Sequence, residues 1–268
     1  MAVIKMNFLS RMLGMQTNVT ICLPSFSFAD IMSGRKEDEI YVPGMKYQVL
    51  YLLHGGSGDD SDYVNFSNIT RYADENKIAV VMPADYNMSY TDFDGGVKYM
   101  SYVAEELPKL CQAYFPISDK REDNFIGGLS MGSVGAQKIA VRYPEQYAAV
   151  LAMSAGGFSI PKPGNRGGVG MPMPPKQEGE AEASRAAAER NVKEGKLLPK
   201  FFMTWGDKDF AGTSHEEACE FLSGLGYDIY KEIVPGYGHE WDFWDLTLRK
   251  ALKEWLPIRH SAIYPGEE

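Results

Sequence analysis

Histidine and cysteine are scarce in this chain: its 268 residues hold four of the first and three of the second. Cys22, Cys111 and Cys219 are odd in number and match no metal or redox spacing. They argue against a disulfide framework and against a zinc site, and are expected as buried or free thiols of a reducing compartment. Basic side chains are outnumbered too, 27 Lys and Arg against 36 Asp and Glu, for a formal charge of -9. Such a surface repels phosphate backbones, which sets nucleic acid aside as a partner. No apolar run approaches the roughly 20 residues of a membrane span. The opening stretch MAVIKMNFLSRMLGM is broken by Lys5, Asn7 and Arg11, so it lacks a signal-peptide core. The expectation is a soluble, cytoplasmic protein with no membrane partner. The acidic run Asp59 to Asp62 lacks the glycine and glutamate of a calcium loop and reads as a solvated loop or helix cap.

What is present is a regular alternation. AVIKMNF and TNVTICLP read as two early strands. KYQVLYLLHGG and KIAVVMPA are nearly unbroken apolar runs, the pattern of strands buried on both faces. NFIGGLS, YAAVLAMSA, KFFMTWG and YDIYKEIVPG read as further strands. Between them lie segments of helical spacing: 99–115, with Tyr99, Val103, Leu107, Leu110 and Tyr114 on one face, then 132–144, 214–226 and 240–257. The fold class is therefore α/β, a mostly parallel central sheet flanked by helices on both faces. With 44% hydrophobic residues the chain can fill one large core, so a single domain over 1–268 is expected. One segment breaks the rhythm. Residues 156–199 are first rich in glycine and proline, then alanine-rich and polar, and read as a flap or cap insertion whose second half is an exposed helix. Met171 and Met173 of this flap are candidates for substrate contact.

Gly128-Leu129-Ser130-Met131-Gly132 is a Gly-x-Ser-x-Gly pattern set between a short strand and a helix. That setting is what a nucleophile elbow requires: a turn tight enough to need both glycines, with the hydroxyl raised over a helix N-terminus. Serine is a poor nucleophile without a base. Of the four histidines, His260 lies near the end, His215 opens a helix and is expected to be solvated, and His54 closes a strand. His239, between the last strand and the last helix, is the candidate base. Asp207 and Asp209 both follow the KFFMTWG strand, and either can be the acid that orients the base. The order serine, aspartate, histidine is that of the α/β hydrolases. The His54-Gly55-Gly56 loop can supply an N–H, from Gly56, that pairs with the Met131 N–H as an oxyanion hole, with His54 bracing the loop.

These pieces resemble the esterase D-like α/β hydrolases, which include tributyrin, acetyl and feruloyl esterases of carbohydrate esterase family one. The matching segments are YLLHGGSGDDSDY, YTDF, EELP, GGLSMGS, GDKDF and GHEWDFWD, in family order. The resemblance implies an α/β-hydrolase fold and a triad of Ser130, Asp209 and His239. Its Gly-x-x-Asp spacing from Gly206 selects Asp209 over Asp207. It also implies an oxyanion hole at Gly56 and Met131, and no cofactor or metal. Phe93, Tyr90 and Trp241 are candidates to line the substrate pocket. The aromatic cluster Trp241, Phe243 and Trp244 is otherwise expected as core.

The implied activity is that of a serine carboxylesterase on small acyl esters, acetyl, short-chain or hydroxycinnamoyl, including esters of sugars. The same triad serves an acyltransferase, the alternative reading. An S-formylglutathione hydrolase-like thioesterase is disfavoured, because those relatives carry a cysteine-containing loop where this chain has HGGSGDD. A non-catalytic binding protein on the same fold would have lost a triad member. An exposed edge strand leaves room for pairing into a homo-oligomer.

Overall fold

The computed structural model describes residues 1–159 and 177–267. Eight strands form one sheet: β1 (Ala2–Ser10), β2 (Met15–Leu23), β3 (Val49–Leu53), β4 (Ala79–Pro83), β5 (Asn124–Leu129), β6 (Ala149–Met153), β7 (Lys200–Gly206) and β8 (Ile229–Val234). Their spatial order is β1-β2-β4-β3-β5-β6-β7-β8. β1 and β2 are a hairpin, and β2 runs antiparallel to β4; every other pairing is parallel. This is the α/β-hydrolase fold.

The helices are α1 (Phe28–Ser33), α2 (Asp62–Phe66), α3 (Ile69–Glu75), α4 (Tyr99–Ser101), α5 (Leu107–Tyr114), α6 (Met131–Arg142), α7 (Glu180–Lys193), α8 (Gly212–Leu225) and α9 (Trp241–Lys250). They cover both faces of the sheet, which explains the unbroken apolar runs. On β3, Val49, Tyr51 and Leu53 pack into one core with Ala136, Ile139 and Ala140 of α6. Leu50 and Leu52 face the opposite core, with Ile69 and Tyr72 of α3 and Phe243 and Leu248 of α9. A strand residue on either face meets hydrocarbon, so polar alternation would be penalised at every second position.

Two expectations are corrected here. Tyr114 does not join the buried face of its helix and is 73% exposed, because the helix widens by one residue per turn over 102–106 and rotates the later positions. The helix expected to be exposed, α7, buries Ser184, Ala187, Ala188 and Asn191. Its Asn191 amide donates to the Val141 carbonyl at the end of α6 (2.8 Å). The flap's Gly/Pro half falls mostly on 160–176, with Met171 and Met173, and lies outside the described residues.

All three cysteines are buried free thiols. Burial pushes Cys22 and Cys111 up to about 12 and Cys219 to about 11, which keeps them protonated and unreactive. No helix among the described residues is long and apolar enough to cross a membrane.

Candidate active site

The parallel strands deliver their C-terminal ends to one edge of the sheet, where ligands of open α/β sheets bind. Ser130 sits between β5 and α6 with φ 53° and ψ -117°. That backbone is costly for a residue with a Cβ and persists only where surroundings enforce it. Both flanking glycines are required by close approach. A Cβ on Gly132 would stand 2.1 Å from the Leu53 carbonyl oxygen, and one on Gly128 would stand 2.5 Å from the Gly132 carbonyl carbon. The Ser130 N–H donates to the Met153 carbonyl of β6 (2.8 Å), which ties the turn to the neighbouring strand.

The loop after β8 brings His239 over this turn. Its Nε2 lies 3.0 Å from Ser130 Oγ. Its Nδ1 lies 3.1 and 3.2 Å from the two carboxylate oxygens of Asp209. A carboxylate only accepts, so Nδ1 carries the proton and Nε2 presents a lone pair to the serine hydroxyl. The Asp209 side chain is fully buried and that of His239 is 18% exposed. Burial raises the Asp209 pKa, but hydrogen bonds from His239, Ser154 and the Ala211 N–H overcome it and hold the carboxyl below its ordinary range. Phe210 packs its ring 4.5 Å from the imidazole, and Trp244 meets it edge-on at 5.1 Å.

The two aspartates after β7 separate cleanly. Asp207 turns away and accepts the Gly236 N–H (2.8 Å), while the Lys208 N–H donates to the Tyr237 carbonyl (2.9 Å). These bonds knit the end of β7 to the loop that carries His239.

The loop after β3 passes beside Ser130. A Cβ on Gly55 would meet the Leu129 side chain at 2.5 Å and the Ser130 Cβ at 3.6 Å, whereas Gly56 is exposed with open space over its Cα. Met131 is the first residue of α6, where a backbone N–H has no intrahelical acceptor. His54 lies buried beneath this loop. Its Nε2 accepts the Asp85 N–H (2.9 Å), so Nδ1 donates to the Gly55 carbonyl (2.8 Å). Burial lowers the His54 pKa, in keeping with a neutral ring.

Tyr90 is not a pocket residue. It is fully buried, its ring lies against Gly135, and its hydroxyl donates to the His54 carbonyl (3.0 Å). It belongs to a strained segment in which Tyr86, Asn87, Ser89 and Tyr90 all have φ between 50° and 61°. The Asp85 carboxylate holds that segment by accepting the N–H groups of Met88 and Tyr90 (2.7 and 2.9 Å). Phe93 is half-buried in the turn that follows, its N–H donating to the Val97 carbonyl (3.0 Å). Trp241 is half-buried, packs on Phe66 at 5.3 Å, and contacts Trp244 at 5.2 Å. It is thus one ring removed from His239. Phe243 and Trp244 are core.

His215 corrects a further expectation. It is fully buried rather than solvated, stacked on Trp205 at 4.6 Å and 9°, and neither ring nitrogen has a hydrogen-bond partner among the described residues. Burial drives its pKa down to about 3, against a weaker upward pull from Asp209. The folded protein therefore holds His215 neutral, while the unfolded chain binds a proton below about pH 6.5. Stability attributable to this group is complete above that pH. It is lost at about 1.4 kcal/mol per unit as pH falls toward 3. His215→Phe, which keeps the stack and removes the titration, is expected to flatten the stability profile between pH 6.5 and 4.5. Urea unfolding at a series of pH values measures this; an unchanged slope would contradict the assignment.

Sequence reasoning missed Asp85, Ser154 and Phe210. None belongs to the pattern that marks the serine, and each acts through a contact between segments distant in the chain.

Comparisons with known proteins find likenesses to esterases and serine hydrolases. The sequence model of the family described as "Putative esterase" matches residues 38–159. The chain is 28% identical to an acetyl esterase of Caldicellulosiruptor saccharolyticus, an alignment covering 96% of this chain and 98% of that protein. Among solved structures it is similar to the Staphylococcus aureus fluorophosphonate-binding serine hydrolase F, with a TM-score of 0.77 and 29% identity over 95% of this chain and 98% of the other. It is also similar to the S-formylglutathione hydrolase FrmB of the same organism, with a TM-score of 0.74 and 26% identity over the same shares.

Proposed function

We propose that this chain, an esterase D-like α/β hydrolase and a serine carboxylesterase, cleaves small acyl esters through an acyl-enzyme on Ser130. The observation that carries the reading is the hydrogen-bonded series Ser130, His239, Asp209 at 3.0 and 3.1 Å, mounted on a strained turn. As Ser130 Oγ attacks the ester carbonyl, His239 Nε2 takes its proton. Asp209, already ionised, stabilises the imidazolium across Nδ1. The Gly56 and Met131 N–H groups receive the oxyanion, each worth about 2.7–4 kcal/mol in the transition state. The imidazolium returns its proton to the leaving alcohol. Water then enters, and the same groups repeat the sequence to release the acid. Trp241 and Phe93 line the approach to the serine. No step calls for a metal or an organic cofactor, and the partner is a small ester in the cytoplasm.

The likeness to a curated acetyl esterase favours a short acyl group. Initial rates on p-nitrophenyl acetate, butyrate and octanoate, on methyl ferulate and on an acyl-glutathione test this. Acetate and butyrate are expected to turn over faster than the rest. A preference for octanoate would overturn the small-acyl reading, and a preference for the thioester would move the activity to the glutathione conjugates. Product analysis with added alcohols or sugars separates hydrolysis from acyl transfer.

A further inference from the structure

The Gly56 N–H is aimed by what holds its own peptide group. The carbonyl of that group, on Gly55, accepts the His54 Nδ1–H (2.8 Å) and the Gly58 N–H (3.3 Å). A trans peptide sets its N–H opposite its carbonyl, so the Gly56 N–H points away from His54. It finds no acceptor among the described residues. The next N–H along, that of Ser57, is engaged: Asn87 Oδ1 accepts it at 2.6 Å. Of the two amide atoms of Asn87 only the oxygen can do this. Both residues have left-handed backbones, Ser57 at φ 66° and Asn87 at φ 61°. Asparagine tolerates that conformation better than most residues.

Asn87 is half-buried and is itself fixed from behind. On its C-terminal side the Met88 and Tyr90 N–H groups are held by the Asp85 carboxylate. The Lys138 ammonium, buried on α6, donates to the Ser89 carbonyl (2.8 Å) and the Thr91 hydroxyl (2.7 Å). The first residue of that same helix is Met131, the other donor of the proposed oxyanion hole. A continuous path therefore runs from α6 through Lys138, Ser89 and Asn87 to Ser57 and Gly56. We propose that Asn87 is a positioning residue for the oxyanion hole. By holding the Ser57 N–H, it keeps the Gly56 N–H at the spacing from the Met131 N–H that a developing oxyanion needs. It also keeps Ser57 from turning its own N–H toward the substrate. The role rests on the reading of Ser130 and its oxyanion hole given above. Full negative charge on the carbonyl oxygen develops on the way to the tetrahedral intermediate, so a misplaced donor weakens kcat rather than ground-state binding.

Asn87→Gly removes the acceptor with the backbone left at ease, because glycine adopts positive φ without penalty. Asn87→Ala removes the acceptor and keeps the backbone demand. Asn87→Asp keeps an acceptor oxygen, and 1 M NaCl, with a Debye length of roughly 3 Å, screens the charge it adds. Rates on p-nitrophenyl acetate are divided by the fraction of enzyme titrated to completion with a fluorophosphonate, which removes the contribution of misfolded protein. The glycine and alanine variants are expected to lose roughly 10- to 100-fold in kcat with KM within about twofold, because the Gly56 donor is displaced rather than deleted. The inhibition constant of an aryl trifluoromethyl ketone, whose hemiketal oxyanion on Ser130 occupies the same hole, is expected to rise by a similar factor. In 1 M NaCl the aspartate variant is expected to stay within about fivefold of wild type. Wild-type kcat per titrated site and unchanged ketone inhibition in the glycine and alanine variants would overturn the role, even with a lowered thermal midpoint. Glycine and alanine variants that yield no titratable enzyme would make Asn87 a folding residue and overturn it too, as would an aspartate variant no better than glycine. An inert wild type, or an active Ser130→Ala, would instead overturn the reading on which it rests.

Discussion

Ser130→Ala is expected to lower kcat on p-nitrophenyl esters by roughly 10⁵- to 10⁶-fold, the loss seen when a triad serine is removed. The KM that remains measurable should change little, because the hydroxyl reacts rather than binds. Labelling by a fluorophosphonate should vanish with it. Folding should not suffer. Alanine and serine share a Cβ, so the strain at φ 53° is the same before and after. Ser130 Oγ contributes no hydrogen bond apart from that to His239 among the described residues. A thermal midpoint within a few degrees of wild type is the control. Turnover above about 1% of wild type would place the nucleophile elsewhere and end the reading built on the elbow.

The second large effect separates two neighbouring aspartates. Asp209→Asn is expected to cost about 10⁴-fold in kcat, while Asp207→Asn costs less than tenfold. Asp209 accepts from the His239 Nδ1–H and the Ala211 N–H, so an amide there has one oxygen for both and turns its own N–H₂ toward at least one. The imidazole then loses the acceptor that holds its proton on Nδ1, and the lone pair aimed at Ser130 is lost with it. Asp207 takes only the Gly236 N–H on an exposed turn. A neutral amide oxygen at that position can still accept the bond. Steady-state kinetics of the pair read both effects. Equal losses, or a larger one at Asp207, would mean that the acid has been misassigned and that Asp207 swings in during turnover.

Much of this site was readable before any coordinates. The strand-turn-helix around Ser130 is local, and glycines 128 and 132 mark it because a tight turn leaves them no substitute. His239 emerged by elimination, since four histidines make a short search. Asp209 against Asp207 was harder: they lie one and three residues past the β7 end, and strand periodicity leaves both open, so the resemblance, through its Gly-x-x-Asp spacing, had to favour Asp209. His215 was misjudged for a related reason. A polar residue at the start of a helix ordinarily faces water, and nothing in SHEEACEF announces that Trp205 from β7 will stack on it. Tyr90 sits in a segment that reads as a pocket loop, yet the positive φ values of 86–90 fold its ring inward against Gly135.

The sequence by itself determined the alternation of strands and helices and the double burial of the central strands, and singled out Ser130 and His239 as the candidate nucleophile and base. These follow from periodicity, from turn chemistry and from the order of residues, all of which are local or one-dimensional. Only the tertiary structure decided that Asp209 lies 3.1 Å from the imidazole while Asp207 turns to the Gly236 N–H, that the partner of His54 Nε2 is the Asp85 N–H, and that Phe210 and Trp244 pack on the His239 ring. Each of those depends on groups brought together from separate crossovers of the sheet. A hydrogen bond is fixed within tenths of an ångström, and the spacing of residues along a chain carries no information at that scale about partners across a sheet.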